Sequence, residues 1–159
     1  MFSIGDKIVY PMHGAGVIES IEEKEILGEK KRYYVMKMPV GDMKVMIPIN
    51  NVDGIGIRDV IDKNDADKVF ESLKKRCDEQ TSNWNKRYRE NMSKIKSGNI
   101  FEVAEVVKSL LTRERQKGLS TGERNLLNSA KQILISELVL AKNMNPVDVE
   151  DIINERIST

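Results

Sequence analysis

The sequence predicts an α+β protein in which a small antiparallel β-barrel is followed by an all-α domain of about five helices. Between residues 7 and 60, short β-branched and aromatic runs alternate with turn residues, which is typical of strands. From about Asn64 onward, apolar residues recur at helical spacing, and cap residues separate the segments. We therefore expect two domains, residues 1–60 and residues 61–159.

The amino-terminal strands are predicted to be short and closely spaced. Glycine or proline turns separate four runs, at residues 7–10, 16–26, 32–38 and 44–47. Apolar side chains alternate with charged ones in these runs, which predicts a curled sheet with one buried face and one solvated face. The charged strand edges are suited to pairing with a partner.

Cap residues predict the bounds of the first three helices. We expect Asn64 to cap a helix that runs to about Arg76. A second helix starts near Trp84 and ends at Ser97, and the third ends at Gly118.

Cap residues also mark the last two helices. Ser120 and Glu123 have the spacing of a capping box, in which Ser120 accepts from a backbone amide and Glu123 reaches back to the cap. Asn145 is expected to cap a final helix through Ile157, with Pro146 at its first position.

The chain is nearly neutral, with 26 basic and 25 acidic residues, but one segment is basic. Residues 74–96 hold eight basic side chains and three acidic ones. The basic residues are Lys74, Lys75, Arg76, Lys86, Arg87, Arg89, Lys94 and Lys96. A nearly neutral chain with one basic segment is expected to touch nucleic acid at one place and to bind a protein partner through another surface.

The only tryptophan, Trp84, lies in this basic segment. Cations attract phosphates, and a flat apolar ring can stack on bases or wedge between them, so the combination indicates a nucleic-acid contact. Trp84, Tyr88 and Ile95 also recur at helical spacing, which fits an apolar stripe packed into a core. The residues alone leave both interpretations open.

Catalysis is poorly supported, because nucleophile and base sets need partners and the chain has one histidine and one cysteine. His13 lies in a run of proline and glycine typical of a turn. Cys77 is assigned no role, and a single cysteine excludes an internal disulfide or a multi-cysteine metal site. We therefore expect no enzyme activity, cofactor or metal. No run resembles an export signal or a membrane span, so the cytoplasm is the expected location.

Several separated motifs resemble the CarD family of bacterial transcription regulators, from about residue 3 to residue 142. They are GDKIVYPMHG at residues 5–14, NWNKRY at 83–88, VAEVV at 103–107, KGLS at 117–120 and AKQIL at 130–134. The resemblance implies a Tudor-like or SH3-like amino-terminal barrel that binds the β subunit of RNA polymerase. It also implies a carboxy-terminal helical domain that binds promoter DNA with little sequence preference.

The resemblance further implies roles for the basic segment. The family's tryptophan, here Trp84, wedges into the minor groove at the upstream edge of the transcription bubble. The neighbouring basic residues that hold backbone phosphates are Lys86, Arg87 and Arg89. An inserted ring interrupts base stacking, so binding that prefers the melted promoter favours the open complex.

The polymerase-binding face implied by the resemblance lies on the predicted strands. Its residues are Lys24, Lys44, Met46, Ile47 and Pro48. Family members often carry arginine where this chain has Met46, so a cation is missing from the expected interface. Either the polymerase surface has changed with it, or Lys24 and Lys44 supply the charge.

Two functions follow from these patterns. The first is a monomeric, non-enzymatic regulator that bridges RNA polymerase and promoter DNA, stabilises the open complex and is held at the nucleoid through the polymerase. The second is a protein interaction module in which Trp84 is buried and makes no direct DNA contact.

Overall fold

The computed structural model describes residues 2–75 and 80–157, and within them the predicted fold class is confirmed. Five antiparallel strands form one sheet: β1 (Lys7–Tyr10), β2 (Gly14–Ile26), β3 (Glu29–Lys37), β4 (Lys44–Pro48) and β5 (Arg58–Asp59). Their order in the sheet is β4-β3-β2-β1-β5, so β4 and β5 are the edge strands. Arg76 and Cys77 lie outside the described residues.

The helices follow the sheet along the chain. A 3₁₀ turn (Ile49–Asn51) and the short α1 (Val52–Ile55) join β4 to β5, and then come α2 (Lys63–Ser72), α3 (Trp84–Lys96), α4 (Ile100–Gln116), α5 (Thr121–Lys142) and α6 (Pro146–Arg156). We call residues 2–60 the sheet module and the described residues from 61 onward the helical module. Within the described ranges, no helix is both long enough and apolar enough to cross a membrane.

The β2–β3 hairpin extends well past the core of the sheet module. That core is formed by Ile8, Ile18, Tyr34, Met36, Met38 and Ile47. By contrast, residues 22–32 are all exposed. Leu27 and Gly28 form the two-residue turn with φ angles of 53° and 81°, as a type I′ hairpin turn requires. The hairpin therefore presents its tip to solvent.

Side-chain caps fix the helix ends, with one change from the sequence prediction. Asp62, not Asn64, caps α2, because its carboxylate accepts from the Asp65 backbone amide at 2.7 Å. Asn145 caps α6 as predicted, and Pro146 follows at the first position. His13 lies in the turn between β1 and β2, also as predicted, with its ring 4.3 Å from that of Tyr10.

The start of β2 lies directly on α5, which joins the two modules. The backbone amide of Ala15 donates to Ser136 Oγ at 2.9 Å, and Ser136 is fully buried. A Cβ atom added to Gly14 would lie 2.7 Å from Ser136 Oγ and 3.4 Å from the Cα of Ile133. Glycine at this position allows the strand and the helix to approach closely.

We expect Gly14→Ala to destabilise the protein by about 3 kcal/mol, because steric overlap adds to the strain of a positive φ. The φ of Gly14 is 112°. Gly28→Ala is a matched control, since Gly28 also has a positive φ but nothing lies within 4 Å of an added Cβ. Thermal unfolding should show a much larger loss for Gly14→Ala, and equal losses would contradict the close packing of β2 on α5.

Candidate nucleic-acid and protein interfaces

Trp84 is the first residue of α3, and its ring is held in one orientation while 41% of the residue is exposed. The indole N–H donates to Ser120 Oγ at 2.9 Å. The ring stacks on Tyr88, with centroids 5.1 Å apart and an interplanar angle of 16°. The expectation that Trp84 is buried, which belongs to the interaction-module hypothesis, is therefore wrong.

The amino termini of two helices meet at this ring. Asn83 caps α3, and Ser120 caps α5 by accepting from the Glu123 backbone amide. A Cβ atom added to Gly122 would lie 3.3 Å from Trp84 Cζ2, so glycine leaves room for the indole. Because helix amino termini carry partial positive charge, the surroundings of Trp84 favour anions such as phosphates.

Arg87 does not lie on the surface, which corrects the sequence expectation that it holds a phosphate. It is only 2% exposed, and its guanidinium makes two hydrogen bonds of 2.8 Å to the Glu123 carboxylate. It also donates to the backbone carbonyl of Thr81. Arg87 instead links the start of α3 to the start of α5, and these are the two helix ends that hold the Trp84 ring.

The Arg87–Glu123 pair also changes the expected capping box. Ser120 Oγ accepts from the Glu123 backbone amide as predicted, but the Glu123 carboxylate pairs with Arg87 instead of reaching back to the cap. Its hydrogen bonds from Arg87 outweigh burial and hold the pKa of Glu123 below its ordinary value. The same hydrogen bonds raise the pKa of Arg87, so both groups are charged at neutral pH.

Lys86 and Arg89 are exposed, as a phosphate contact requires. Successive helical residues are rotated by about 100°, so both side chains project from the side of α3 roughly opposite Trp84. Two further exposed cations, Lys117 and Arg124, lie three residues before and four residues after Ser120, the cap of α5, and Arg124 pairs with Glu114 at 3.7 Å. The exposed cations near this site are therefore carried by two helices, and those of α3 point away from the indole.

The strand register places four of the five expected polymerase-binding residues on one face of the sheet. Tyr33 pairs with Pro48 and Val35 with Met46, so Met46 and Pro48 share a face, which also bears Lys44. On the adjacent β2 strand, Glu22 pairs with Tyr33, which puts Lys24 on the same face. We call this surface the outer-face patch; it comprises Lys24, Ile26, Lys31, Tyr33, Lys44, Met46 and Pro48, and the same register puts Glu22 and Glu29 among them.

Ile47 is the exception, and the expectation that it contacts a partner is wrong. It points to the opposite face, where it is fully buried against Tyr34 and the rest of the sheet core. Within the outer-face patch, Lys44 forms an exposed ion pair with Glu19 at 3.0 Å. An exposed pair of this kind is weak, so a partner can readily compete with Glu19 for Lys44.

The comparisons with known proteins cover both modules. The sequence profile described as "CarD, C-terminal domain" matches residues 68–154, and the profile described as "CarD-like/TRCF RID domain" matches residues 2–61. A Bacillus subtilis (strain 168) protein named "Putative transcription factor YdeB" is 42% identical over 150 residues, which cover 94% of this chain and 98% of that protein. The chain belongs to the CarD family. The solution NMR structure of the 72-residue N-terminal domain of Myxococcus xanthus CarD is similar at 32% identity, with a TM-score of 0.33 over 37% of this chain and 79% of that one.

In this CarD family member, several residues beside the expected partner-binding face could not be placed from the sequence. Ile26 and Leu27 are exposed at the hairpin tip, and Leu27 is 99% exposed although it is a large apolar residue. Lys31 lies directly opposite Lys24, which places two like charges side by side. The alternation of apolar and charged residues along the hairpin is a sequence signal for these residues. The position of the turn and the register of the strands were still needed to place them.

Proposed function

We propose that this CarD family protein is a non-enzymatic transcription regulator that binds the RNA polymerase β subunit and promoter DNA and stabilises the open complex. The observation that carries the proposal is the exposed, oriented indole of Trp84 between two helix amino termini. We assign polymerase binding to residues 1–60 and DNA binding to residues 61–159. This function would place the protein in the bacterial cytoplasm, at the nucleoid.

Trp84 acts as the wedge in this mechanism. Its hydrogen bond to Ser120 and its stack on Tyr88 fix the ring before DNA arrives, so less conformational entropy is lost on insertion. Unstacked bases at the edge of a bubble offer a face to the indole that a closed duplex does not. Binding therefore shifts the equilibrium toward the open promoter without covalent chemistry.

The surrounding cations hold the two DNA backbones. The minor groove is about 6 Å wide, so phosphates lie on both flanks of an inserted ring. Lys86 and Arg89, which project from the far side of α3, reach phosphates farther from the inserted ring, and Lys117 and Arg124 hold phosphates on the α5 side. Phosphate contacts carry no sequence information, which accounts for recognition of many promoters.

We expect Lys86→Ala and Arg89→Ala each to lower the salt dependence of DNA binding by about 0.9 in the slope of log K against log salt, since each removes one phosphate contact. Trp84→Ala should weaken binding without changing this slope. Arg156→Ala is the control, because Arg156 pairs with Glu71 within the helical module. Unchanged slopes for both α3 variants would exclude them from the phosphate contacts.

The outer-face patch is the proposed contact with the polymerase β subunit. It combines the cations Lys24, Lys31 and Lys44 with the apolar side chains of Ile26, Tyr33, Met46 and Pro48. β4 pairs with β3 on one side and is an edge strand of the described sheet, so its other side is suited to a strand from the partner. Lys44, two residues from Met46 on the same face, and Lys24 supply the positive charge that an arginine in place of Met46 would add.

We propose that the exposed hairpin tip continues the outer-face patch, so Leu27→Asn should weaken polymerase binding about tenfold while the free protein becomes slightly more stable. Leu27 has a φ of 53°, a conformation that asparagine tolerates better than leucine, and its side chain is free in solution. Thermal unfolding of the protein and titration of polymerase measure the two effects separately. An unchanged polymerase affinity would exclude the hairpin tip from the interface.

The function as a whole is tested by the lifetime of the open complex on an unstable promoter, with the cognate polymerase. Docking on polymerase makes the DNA contact effectively intramolecular, so a weak DNA site becomes sufficient. Addition of the protein should lengthen the lifetime. If a saturating amount of folded protein leaves the lifetime unchanged, the proposed function is wrong.

A further inference from the structure

Arg58, at the edge strand β5, joins three separate parts of the chain. Its two terminal N–H groups donate to the carboxylate oxygens of Glu137 on α5, both at 2.7 Å. Its Nε–H donates to the backbone carbonyl of Gly98, also at 2.7 Å. Gly98 follows the carboxy-terminal end of α3, the helix that begins with Trp84.

Glu137 is fully buried, so its carboxylate oxygens depend on these partners for hydrogen bonds. Besides the two bonds from Arg58, it accepts from the Ile61 backbone amide at 3.0 Å. A buried carboxylate is tolerated only when it is paired and hydrogen-bonded, and the planar guanidinium matches it in a way that lysine cannot. The arrangement therefore fixes the direction of the Arg58 side chain.

Among the described residues, the other hydrogen bonds between the modules reach α5, although Pro11 also lies beside Gly98. The Ala15 amide binds Ser136, and Lys7 Nζ donates to the Leu140 carbonyl at 3.3 Å. Arg58 differs because it contacts both α5 and the end of α3. It thus connects the sheet module to the helix that presents the tryptophan.

We propose that Arg58 is a positioning residue that, together with Glu137, sets the placement of Trp84 relative to the sheet module. With the three hydrogen bonds intact, the distance from the outer-face patch to the indole is fixed by a rigid connection. Without them, the end of α3 loses its hydrogen-bonded link to β5 while β2 stays packed on α5, so the position of Trp84 relative to the outer-face patch is less well fixed and the two contacts fit one target less well.

The distance between the modules tests this directly in the free protein. Spin labels are attached at Leu27→Cys on the hairpin tip and Ser93→Cys on α3, both exposed positions, with Cys77→Ser as background. The parent should give one narrow distance distribution by double electron–electron resonance. Arg58→Ala and Glu137→Gln should each broaden it about twofold, because α3 is no longer held to β5 although β2 still packs on α5.

Arg156→Ala is the matched control, since it removes an arginine ion pair inside the helical module and should leave the distribution narrow. Circular dichroism checks that each variant is folded. If Arg58→Ala does not fold, the same distance measurement is made on Arg58→Lys. Lysine keeps the positive charge but cannot hydrogen-bond to both Glu137 and Gly98. A narrow, unshifted distribution in the folded Arg58 and Glu137 variants would overturn the proposal.

A second readout rests on the proposed function. Arg58→Lys should bind polymerase as tightly as the parent and still shorten the open-complex lifetime, by about threefold or more. An equal loss of polymerase affinity and lifetime would mean that Arg58 merely supports the sheet module, which would overturn the proposal. If the parent itself does not lengthen the lifetime, the proposed function fails while the distance measurement still decides the role of Arg58.

Discussion

Glu123→Ala is expected to lower the free energy of unfolding by about 3–5 kcal/mol, because it leaves the buried Arg87 guanidinium without its counter-charge. Both residues of the pair are almost completely buried, and both bonds between them are 2.8 Å long. The loss should also loosen the junction of α3 and α5, where Trp84 contacts Ser120.

Denaturation by urea measures this effect, with Glu150→Ala as the control. Glu150 pairs with Lys131 at 3.4 Å on the surface, so its removal should change stability by only about 0–1 kcal/mol. Similar effects of the two substitutions would show that the Arg87–Glu123 pair does not hold the helices together.

The same pair predicts how stability depends on pH. The pKa of Glu123 is lowered in the folded protein, chiefly by hydrogen bonds from Arg87, so the unfolded chain takes up the proton first. The pair's contribution is therefore complete above the unfolded pKa of about 4.3 and is lost as the pH falls through the folded value. Glu123→Gln should show a shallower loss of stability in acid than the parent.

Trp84→Ala is expected to abolish most of the open-complex stabilisation while the protein stays folded. Stacking of one base on an aromatic side chain is worth about 1–3 kcal/mol, which corresponds to roughly a 5- to 150-fold change in an equilibrium. The ring is partly exposed and contributes little to the core, so the unfolding temperature should change little. Open-complex lifetime at saturating protein measures the effect.

Two milder variants separate the ring from its orientation. Trp84→Phe keeps an aromatic face but has no N–H for Ser120, and Ser120→Gly removes the acceptor while glycine still serves as a helix cap. Both should give intermediate lifetimes. A full effect of Trp84→Ala with none from either milder variant would mean that the indole needs no preset orientation.

The fold class could be predicted because local signals agree with the tertiary structure. The change from strand-like runs to helical spacing, and caps such as Asn145, depend on neighbours in sequence. The cap of α2 was missed by two residues because Asp62 and Asn64 are equally suitable by type. Only the backbone geometry distinguishes them.

The candidate site was only partly predictable, for reasons of tertiary contact. Trp84, Lys86 and Arg89 are exposed as expected, but Arg87 is buried because α5 supplies Glu123, 36 residues away. Charge alone cannot show which arginine of a basic run has a distant partner. Likewise, the pairing of Tyr34 with Ile47 sets the inward direction of Ile47, and a one-residue change of register would reverse it.

The proposed function requires the Trp84 ring to lie against bases at the upstream edge of the bubble. The most direct measurement places a fluorescent base analogue, 2-aminopurine, at successive positions of that edge in the polymerase–promoter complex. The wild-type protein should change the fluorescence at one or two adjacent positions, and Trp84→Ala should remove that change while Arg89→Ala keeps it. Identical signals at every position for the wild-type protein and Trp84→Ala would contradict the claim.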